Sequence, residues 1–305
     1  MLKNTRSLFP WLCLTAGLLL AACQGAAPTP AASGRLTVVA TFSILGDLVQ
    51  RVAGDQVELL VLVGADGDAH SYEPAPTDTR ALAEAGLIFE NGLGFESWLD
   101  DLYAASGSTA RRVVASEGLA LVAADAPGEF DPHIWQSVPN ARQMVKTIQA
   151  ALADADPAHA GVYQANAEAY LKQLDELHAY ILAQTASLPA ERRKLVTNHD
   201  TFAYFAQAYG FTIVGDALGG STTEGGEPSA AQMAQLADAI RAAGVPAIFA
   251  ENVEGSQTVQ RLAQETGVKL GPPLYTDALG RPGTPGETYL GLMRYNAEAI
   301  VGALR

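Results

Sequence analysis

Two patterns of hydrophobic and polar positions alternate along the chain from residue 36 onward. Short continuous apolar runs rich in β-branched residues predict buried strands, whereas apolar residues spaced three and four apart predict helices. In the first half, the predicted strands are residues 36–42, 57–63, 87–90 and 112–114. The predicted helices are residues 44–52, residues 78–85 and a segment that starts at residue 141. Strands that alternate with helices indicate a mostly parallel sheet covered by helices.

The second half of the chain repeats this alternation. Its predicted strands are residues 194–197, 211–214 and 245–250. Its predicted helices are residues 200–209, 229–243, 257–265 and 289–304. The sequence therefore predicts an α/β fold of two lobes, each built on a mostly parallel sheet flanked by helices.

A long helical pattern separates the two halves. Asp156-Pro157 provides a residue suited to an N-cap followed by proline at the first helical position. A continuous helix over residues 157–186 would be about 45 Å long, which makes it a stiff connector between the lobes. The alternative is a broken pair of helices. We expect a first lobe of residues 35–155, a connector of residues 156–187 and a second lobe of residues 188–305.

The first 34 residues have the features of an export signal. Residues 1–22 combine a basic start with a short apolar stretch and small residues, as in a cleaved signal peptide. Their ending, Leu20-Ala-Ala-Cys23, resembles the lipobox of bacterial lipoproteins, in which the cysteine becomes the acylated first residue. The small residues and prolines of residues 23–34 predict a flexible tether. We expect an extracytoplasmic protein anchored to the cell membrane through a lipid on Cys23; the alternative is an ordinary cleaved signal with an incidental cysteine.

Composition and charge narrow the classes of function. The chain of 305 residues is 49% hydrophobic and 17% charged, which is typical of a globular protein. Its formal net charge of -14 and its lack of basic runs exclude nucleic-acid binding, because an acidic surface repels phosphate backbones. Both cysteines, Cys13 and Cys23, lie in the signal region, so neither a disulfide framework nor a cysteine-rich zinc module supports the body of the protein.

Four side chains are candidates for one metal centre: His70, His133, His199 and Asp277. Most of them follow predicted strands, and loops at the carboxyl ends of parallel strands are where open α/β sheets place ligands. Three imidazoles and one carboxylate can complete a tetrahedral site for a divalent cation. With neutral imidazoles, we expect the loaded site to carry a charge of about +1. The separations of 63, 66 and 78 residues follow no local ligand spacing, and each residue taken alone could equally be a surface or turn residue.

Three further residues are open to two interpretations. His159 and His178 lie in the connector and are expected to have structural roles only. Glu251 follows the predicted strand at residues 245–250, so it either orients a ligand or forms a salt bridge between the lobes.

The chain resembles the cluster 9, or A-I, solute-binding proteins, the metal-binding lipoproteins that supply zinc and manganese ABC importers. The resemblance extends from about residue 36 to the C-terminus and rests on several motifs in order. These motifs are Asp68-Ala-His-Ser-Tyr-Glu-Pro74, Asn91-Gly-Leu-Gly-Phe-Glu96, Asp131-Pro-His-Ile-Trp135, His199-Asp-Thr-Phe-Ala-Tyr-Phe-Ala206 with Tyr209-Gly210, Glu227-Pro-Ser229 and Leu274-Tyr-Thr-Asp277.

The resemblance implies that His70, His133, His199 and Asp277 are the metal ligands, in a cleft between two lobes joined by a long rigid helix. In this family the third ligand is usually histidine in zinc binders and glutamate in dedicated manganese binders, so His199 favours zinc. The His/Asp/Glu-rich loop of many zinc-dedicated members is missing, which leaves manganese as the second choice. Gln136-Ser137 replaces the Leu-Asp of many members, so a contact around the ligands is expected to differ.

These features predict a monomeric carrier that captures Zn²⁺, or else Mn²⁺, outside the membrane. It would deliver the ion to an ABC permease and its ATPase, and it would not be an enzyme. Two alternatives belong to other classes. A secreted metal-dependent hydrolase needs three protein ligands, an open position for water and a general base. A metal-stabilised adhesin would unfold when its metal is removed.

Overall fold

The computed structural model describes residues 34–124, 127–220, 228–253 and 257–305. The predicted signal peptide, Cys23 and almost all of the predicted tether therefore lie outside the described residues, as does Glu227. No helix within the described ranges is long and apolar enough to cross a membrane.

The first lobe is built on one four-stranded parallel sheet. Its strands are β1 Leu36–Phe42, β2 Val57–Val63, β3 Leu87–Glu90 and β4 Arg111–Val114, in the order β2-β1-β3-β4. Its helices are α1 Ser43–Ala53, α2 Pro76–Glu84, α3 Leu99–Ser106 and α4 Val138–Ala155. The sequence pattern did not predict α3, because only two of its eight residues are buried and its apolar face is therefore short.

The long connector is helix α5, Ala160–Ala186, preceded by a 3-10 turn at Pro157–His159. The continuous helix is confirmed, although it begins three residues later than predicted. Asp156 does not cap it: the Asp156 carboxylate accepts a hydrogen bond from the Tyr163 hydroxyl and lies 2.6 Å from His159 Nδ1. Helix α5 packs against α1, against α4 and against the C-terminal helix.

The second lobe contains shorter strands. They are β5 Lys194–Thr197, β6 Thr212–Asp216, β7 Ala247–Ile248 and β8 Lys269–Leu270, paired in parallel as β5-β6 and β7-β8. The Phe249 N–H donates to the Val196 carbonyl and links the two pairs. The helices are α6 Ala203–Tyr209, α7 Ala230–Ala243, α8 Gln257–Thr266 and α9 Tyr289–Leu304.

Two predictions about the second lobe were wrong in detail. The helix expected from residue 200 begins at Ala203, and the Asp200 N–H before it donates to the Gly220 carbonyl. The strand expected over residues 245–250 pairs regularly at only two residues. The short strand β8 was not predicted, since both of its residues are exposed.

The predicted α/β architecture of two lobes is confirmed, and one large core connects them. The buried faces of β1, α1 and α5 belong to the same apolar cluster as α9, whose Leu292, Met293 and Ile300 are fully buried. A smaller cluster lies within the second lobe, between β5, β7 and the helices α7 and α8. The extended core supports the loops that meet between the lobes.

Candidate metal centre

The four candidate ligands lie in four different loops that converge between the lobes. His70 lies in the loop after β2, and His133 directly precedes a 3-10 turn that leads into α4. His199 lies two residues beyond β5, and Asp277 lies three residues beyond Leu274, which pairs with Glu251. The structure thus brings together all four side chains, and each of them is buried.

The donor atoms of these side chains face one another. The Nε2 atoms of His70 and His133 are 3.2 Å apart, and Asp277 Oδ2 lies 3.1 Å from His199 Nε2. The two remaining Asp277 contacts, to His70 Nε2 and His133 Nε2, are both 3.6 Å. Bonds of roughly 2.0–2.1 Å in a tetrahedron place donor atoms about 3.3 Å apart, so these separations suit a zinc-sized ion.

Two of the converging atoms have no hydrogen-bond partner among the described residues. His199 Nε2 and Asp277 Oδ2 are both buried, and their short contact lacks hydrogen-bond geometry. Buried polar atoms are nearly always satisfied, because an unsatisfied one costs about 1–3 kcal/mol. A divalent cation among the four side chains would satisfy both atoms.

Two carboxylates contact the imidazoles of His133 and His199 on the side that faces away from the centre of the cluster. Asp131 Oδ1 lies 2.7 Å from His133 Nδ1, and Glu251 Oε2 lies 2.7 Å from His199 Nδ1. In each ring the Nδ1 lies against a carboxylate and the Nε2 faces the centre, an orientation common to metal-bound histidines. Of the two roles left open for Glu251, the structure favours orientation of His199.

Glu251 also fixes the backbone around the site. Its Oε1 accepts from the N–H groups of Asn198 and His199, and its Oε2 accepts from the Thr276 hydroxyl beside Asp277. Sequence reasoning missed the comparable role of Asp131. The available signal was the short Asp131-Pro132-His133 spacing, which lets one carboxylate accept from both the backbone N–H and the ring of the same histidine.

Aromatic rings shield the cluster on the side of the first lobe. The Phe95 ring lies edge-on to His70 at 4.6 Å, and Phe95 packs against Phe42 and Trp135 with 4.9 Å between ring centroids. The Trp135 indole N–H donates to the Thr276 carbonyl, and Gln136 Nε2 lies 3.2 Å from the same oxygen. Gln136 therefore adds a polar contact from the first lobe to the loop of Asp277.

Electrostatic interactions shift the ionisation of the converging groups in different directions. Burial lowers the pKa of His70 to about 4, although the Asp277 carboxylate opposes this shift. Burial also lowers the pKa of His199, but the carboxylates of Glu251 and Asp277 outweigh it and hold this pKa well above its usual value. Burial raises the pKa of Asp277, and the surrounding imidazoles, His199 first, overcome it and hold this pKa far below its usual range.

Asp131 and Glu251 place two further carboxylates next to the four candidate ligands. The expected charge of about +1 belongs to the four candidate ligands with a divalent ion, and it stays a prediction. Carboxylates in these positions favour retention of a cation in the site.

The fold and the buried cluster define a two-lobed binding protein with a candidate metal centre between its lobes. A family model described as "Zinc-uptake complex component A periplasmic" matches residues 38–303. The chain belongs to this family.

Individual relatives resemble the chain over nearly its whole length. The manganese-binding lipoprotein MntA of Halalkalibacterium halodurans is 33% identical, with 97% of this chain and 98% of the relative covered. The zinc-binding protein TroA of Treponema pallidum is 37% identical, with 90% of each chain covered.

Solved structures also resemble the fold of this chain. The structure of periplasmic TroA from Treponema pallidum superposes with a TM-score of 0.83 at 35% identity, covering 89% of this chain and 99% of that one. A manganese-bound periplasmic metal-binding protein from candidatus Liberibacter asiaticus gives a TM-score of 0.82 at 28% identity, covering 89% and 100%.

Proposed function

We propose that this protein is the extracytoplasmic solute-binding component of an ABC importer for a divalent transition metal. It captures the ion between its lobes and delivers it to a membrane permease that a partner ATPase drives. The ion is bound by His70, His133, His199 and Asp277. The observation that carries the proposal is the convergence of these four buried side chains, whose donor atoms all lie within 4.8 Å of one another.

Zinc is the first-choice cargo and manganese the second. Three imidazoles form a borderline-soft donor set, which suits zinc better than manganese, whose preference is for oxygen ligands. The four donors complete a tetrahedron, the geometry that zinc favours and that gives manganese fewer ligands than its usual octahedron. Relatives named for each metal resemble the chain to a similar degree.

A competition titration tests this proposal. Metal-free soluble protein, residues 24–305, is titrated with zinc and with manganese, and the bound metal is read by native mass spectrometry. We expect one equivalent of zinc that excess manganese does not displace. Appreciable manganese under the same competition would make the protein a dual-metal carrier, and binding of neither ion would refute the four-ligand site.

The remaining assignments concern anchoring and organisation. Cys23 carries the lipid that holds the protein on the outer face of the cell membrane, and the protein acts as a monomer with lobes of residues 35–155 and 188–305. Mass spectrometry of the mature N-terminus after expression in a bacterium tests the anchor. The Cys23→Ala variant should lose the acyl mass and leave the membrane fraction.

The candidate metal site favours a carrier over a metal-dependent hydrolase and over a metal-stabilised adhesin. Four protein donors leave no open position for a catalytic water, which a metallohydrolase needs. A carrier must stay folded after it releases its cargo, whereas an adhesin built around a structural metal would unfold. Circular dichroism of the metal-free protein separates these cases, and retained structure supports the carrier.

We expect Asp131→Asn and Glu251→Gln each to weaken zinc binding by roughly 10- to 100-fold. Each substitution removes the negative charge that orients an imidazole and raises its basicity, while it keeps an acceptor of similar shape. Zinc affinity is measured against a calibrated chelator. Glu298→Gln is the matched control, since Glu298 accepts from Tyr180 on the exposed side of α9 and its loss should not alter zinc binding. Unchanged affinity in both site variants would show that the carboxylates do not support the ligands.

We expect His199→Glu to favour manganese only when Glu251 is also neutralised. An oxygen donor in place of an imidazole suits manganese. However, Glu251 lies 2.7 Å from His199 Nδ1, so a glutamate at position 199 would meet a carboxylate there as well as Asp277. The His199→Glu variant alone should therefore bind both metals weakly, and the His199→Glu/Glu251→Gln variant should recover manganese binding. Equal zinc-to-manganese competition in wild type and the double variant would contradict this.

A further inference from the structure

Asp66 adopts an unusual backbone conformation in the loop that carries His70. Its φ of 55° lies in the left-handed region, and among the described non-glycine residues only Leu93 shares this property. Aspartate tolerates the left-handed region better than most residues, but at some energetic cost. The surrounding contacts must maintain this conformation.

The contacts that maintain Asp66 come from the second lobe. Its N–H donates to the Leu279 carbonyl at 2.8 Å. Its Oδ1 accepts from Asn252 Nδ2 at 3.0 Å, and its Oδ2 lies 3.0 Å from Arg281 Nε. One residue of the first lobe thus contacts three separate residues across the cleft.

The partners of Asp66 belong to the segments that hold Asp277 and Glu251. Asn252 directly follows Glu251, and its Oδ1 accepts from the Thr276 N–H at 3.1 Å. Leu279 lies two residues after Asp277, and its own N–H donates to Ser43. Asp66 therefore connects the loop of His70 with both segments that form the second-lobe half of the cluster.

We propose that Asp66 is a positioning residue that fastens the loop of His70 to the loop of Asp277 and slows release of the cargo. This inference rests on the proposed function. The cluster takes two imidazoles from the first lobe and one imidazole and one carboxylate from the second, so an ion can leave only when the facing loops separate. The contacts of Asp66 with Asn252 and Leu279 oppose that separation, because they break when the loops move apart.

The Asn252 contact carries more of this effect than the Arg281 contact. Arg281 is 78% exposed, and ion pairs at such sites contribute little. The hydrogen bond from Asn252 is partly buried, and its acceptor is the Asp66 carboxylate. It is therefore stronger than a hydrogen bond between neutral groups. We expect loss of the Asp66 side chain to speed zinc dissociation roughly tenfold.

Asp66→Gly separates the proposed role from a purely conformational one. Glycine adopts a φ of 55° without steric cost and keeps the N–H that donates to Leu279. If Asp66 only shapes the loop, the variant should be as stable as wild type and should release zinc at the same rate. The proposal predicts faster release, and circular dichroism of the metal-free variant checks that its fold is intact. Release is measured by stopped-flow transfer of zinc from the loaded protein to a chromophoric chelator.

Asn252→Asp separates a direct contact from a general electrostatic effect. The new carboxylate keeps an acceptor for the Thr276 N–H but faces the Asp66 carboxylate. Added negative charge alone would slow the release of a cation, whereas the proposal predicts faster release. In the Asp66→Asn/Asn252→Asp variant the donor and acceptor exchange places, and the release rate should return toward that of wild type. Asp154→Asn is the control for a lost surface charge, since Asp154 pairs with Arg111 within the first lobe.

The outcomes distinguish this inference from the proposed function. Wild-type release rates in Asp66→Gly and Asn252→Asp, with one zinc bound to each, would overturn the role of Asp66 and leave the function intact. Failure of wild type to bind zinc would instead remove the proposed function. Faster release in both single variants, with recovery in the exchanged pair, supports the role of Asp66.

Discussion

Asp277→Asn should weaken zinc binding by roughly 10²- to 10³-fold, the largest loss that we expect from one substitution. Asp277 is fully buried and is the only carboxylate among the four donors. It contacts the inward-facing nitrogens of all three imidazoles, at 3.1 Å from His199 and at 3.6 Å from His70 and His133. Asparagine has nearly the same shape, so the substitution removes charge with little change in packing.

The magnitude follows from the electrostatics of a buried site. Removal of one partner from a buried charged group costs about 3–5 kcal/mol, because the remaining charge has no other compensation nearby. Without Asp277, the cation would meet three neutral imidazoles and only the more distant carboxylates of Asp131 and Glu251. The amide oxygen of asparagine can still ligate, but as a neutral donor it is weaker, so binding should be reduced and not abolished.

The measurement is a competition of each variant with chelators of graded zinc affinity. Circular dichroism of the metal-free protein establishes that the fold is intact, and Asp154→Asn controls for the loss of one acidic charge far from the cluster in the fold. The expected order of affinities is wild type, then Asp131→Asn or Glu251→Gln, then Asp277→Asn. Zinc affinity within threefold of wild type in Asp277→Asn would show that this carboxylate is not a ligand.

The strands and most helices could be predicted from the sequence because their apolar patterns are long. β1 and β2 begin and end where the pattern placed them, since each is a seven-residue run that packs in the sheet. Helix α3 and strand β8 were not predicted, because they bury too few side chains to produce an apolar pattern in the sequence. Helix α6 begins three residues later than its pattern predicted, and the Asp200 N–H before it donates to the Gly220 carbonyl, twenty residues away in sequence.

The four candidate ligands could be selected because histidine is rare in this chain and because the flanking motifs resemble a known family. These four side chains converge only in the folded protein, so no local spacing in the sequence predicts the cluster. The orienting carboxylates show the same limit. Asp131 contacts a histidine two residues away, but Glu251 reaches His199 only through the pairing of two segments of the second lobe. The contacts of Asp66 cross between lobes, so no sequence pattern could show them.

Burial raises the pKa of Glu96 to about 7, and this shift gives a prediction about stability. The Glu96 carboxyl group is buried, and Glu96 directly follows Phe95, whose ring packs against His70. Its Oε1 accepts from the Thr41 hydroxyl at 2.6 Å and from the Asn91 N–H at 2.7 Å, and its Oε2 accepts from the Gly92 N–H at 3.2 Å. These hydrogen bonds favour the ionised form but do not outweigh the loss of solvation.

The direction of the pH effect follows from proton linkage. In the unfolded chain the pKa of Glu96 returns to about 4.5, so the folded protein holds this proton between about pH 4.5 and 7 and the unfolded chain does not. The stabilisation that the protonated group provides is fully present below pH 4.5. It is lost as the pH rises through about 7, and it amounts to roughly 3 kcal/mol.

Glu96→Gln should remove this pH dependence. Glutamine stays neutral and keeps an oxygen acceptor for Thr41 and Asn91, so the free energy of unfolding should be similar to that of wild type near pH 4.5. Above pH 8 the variant should be more stable than wild type by about 3 kcal/mol, because only wild type then buries an ionised carboxylate. Urea denaturation of both metal-free proteins at intervals from pH 4.5 to 8.5 measures the difference, in which the other titrating groups cancel. A constant difference across this range would mean that Glu96 ionises in the folded protein at its ordinary pKa.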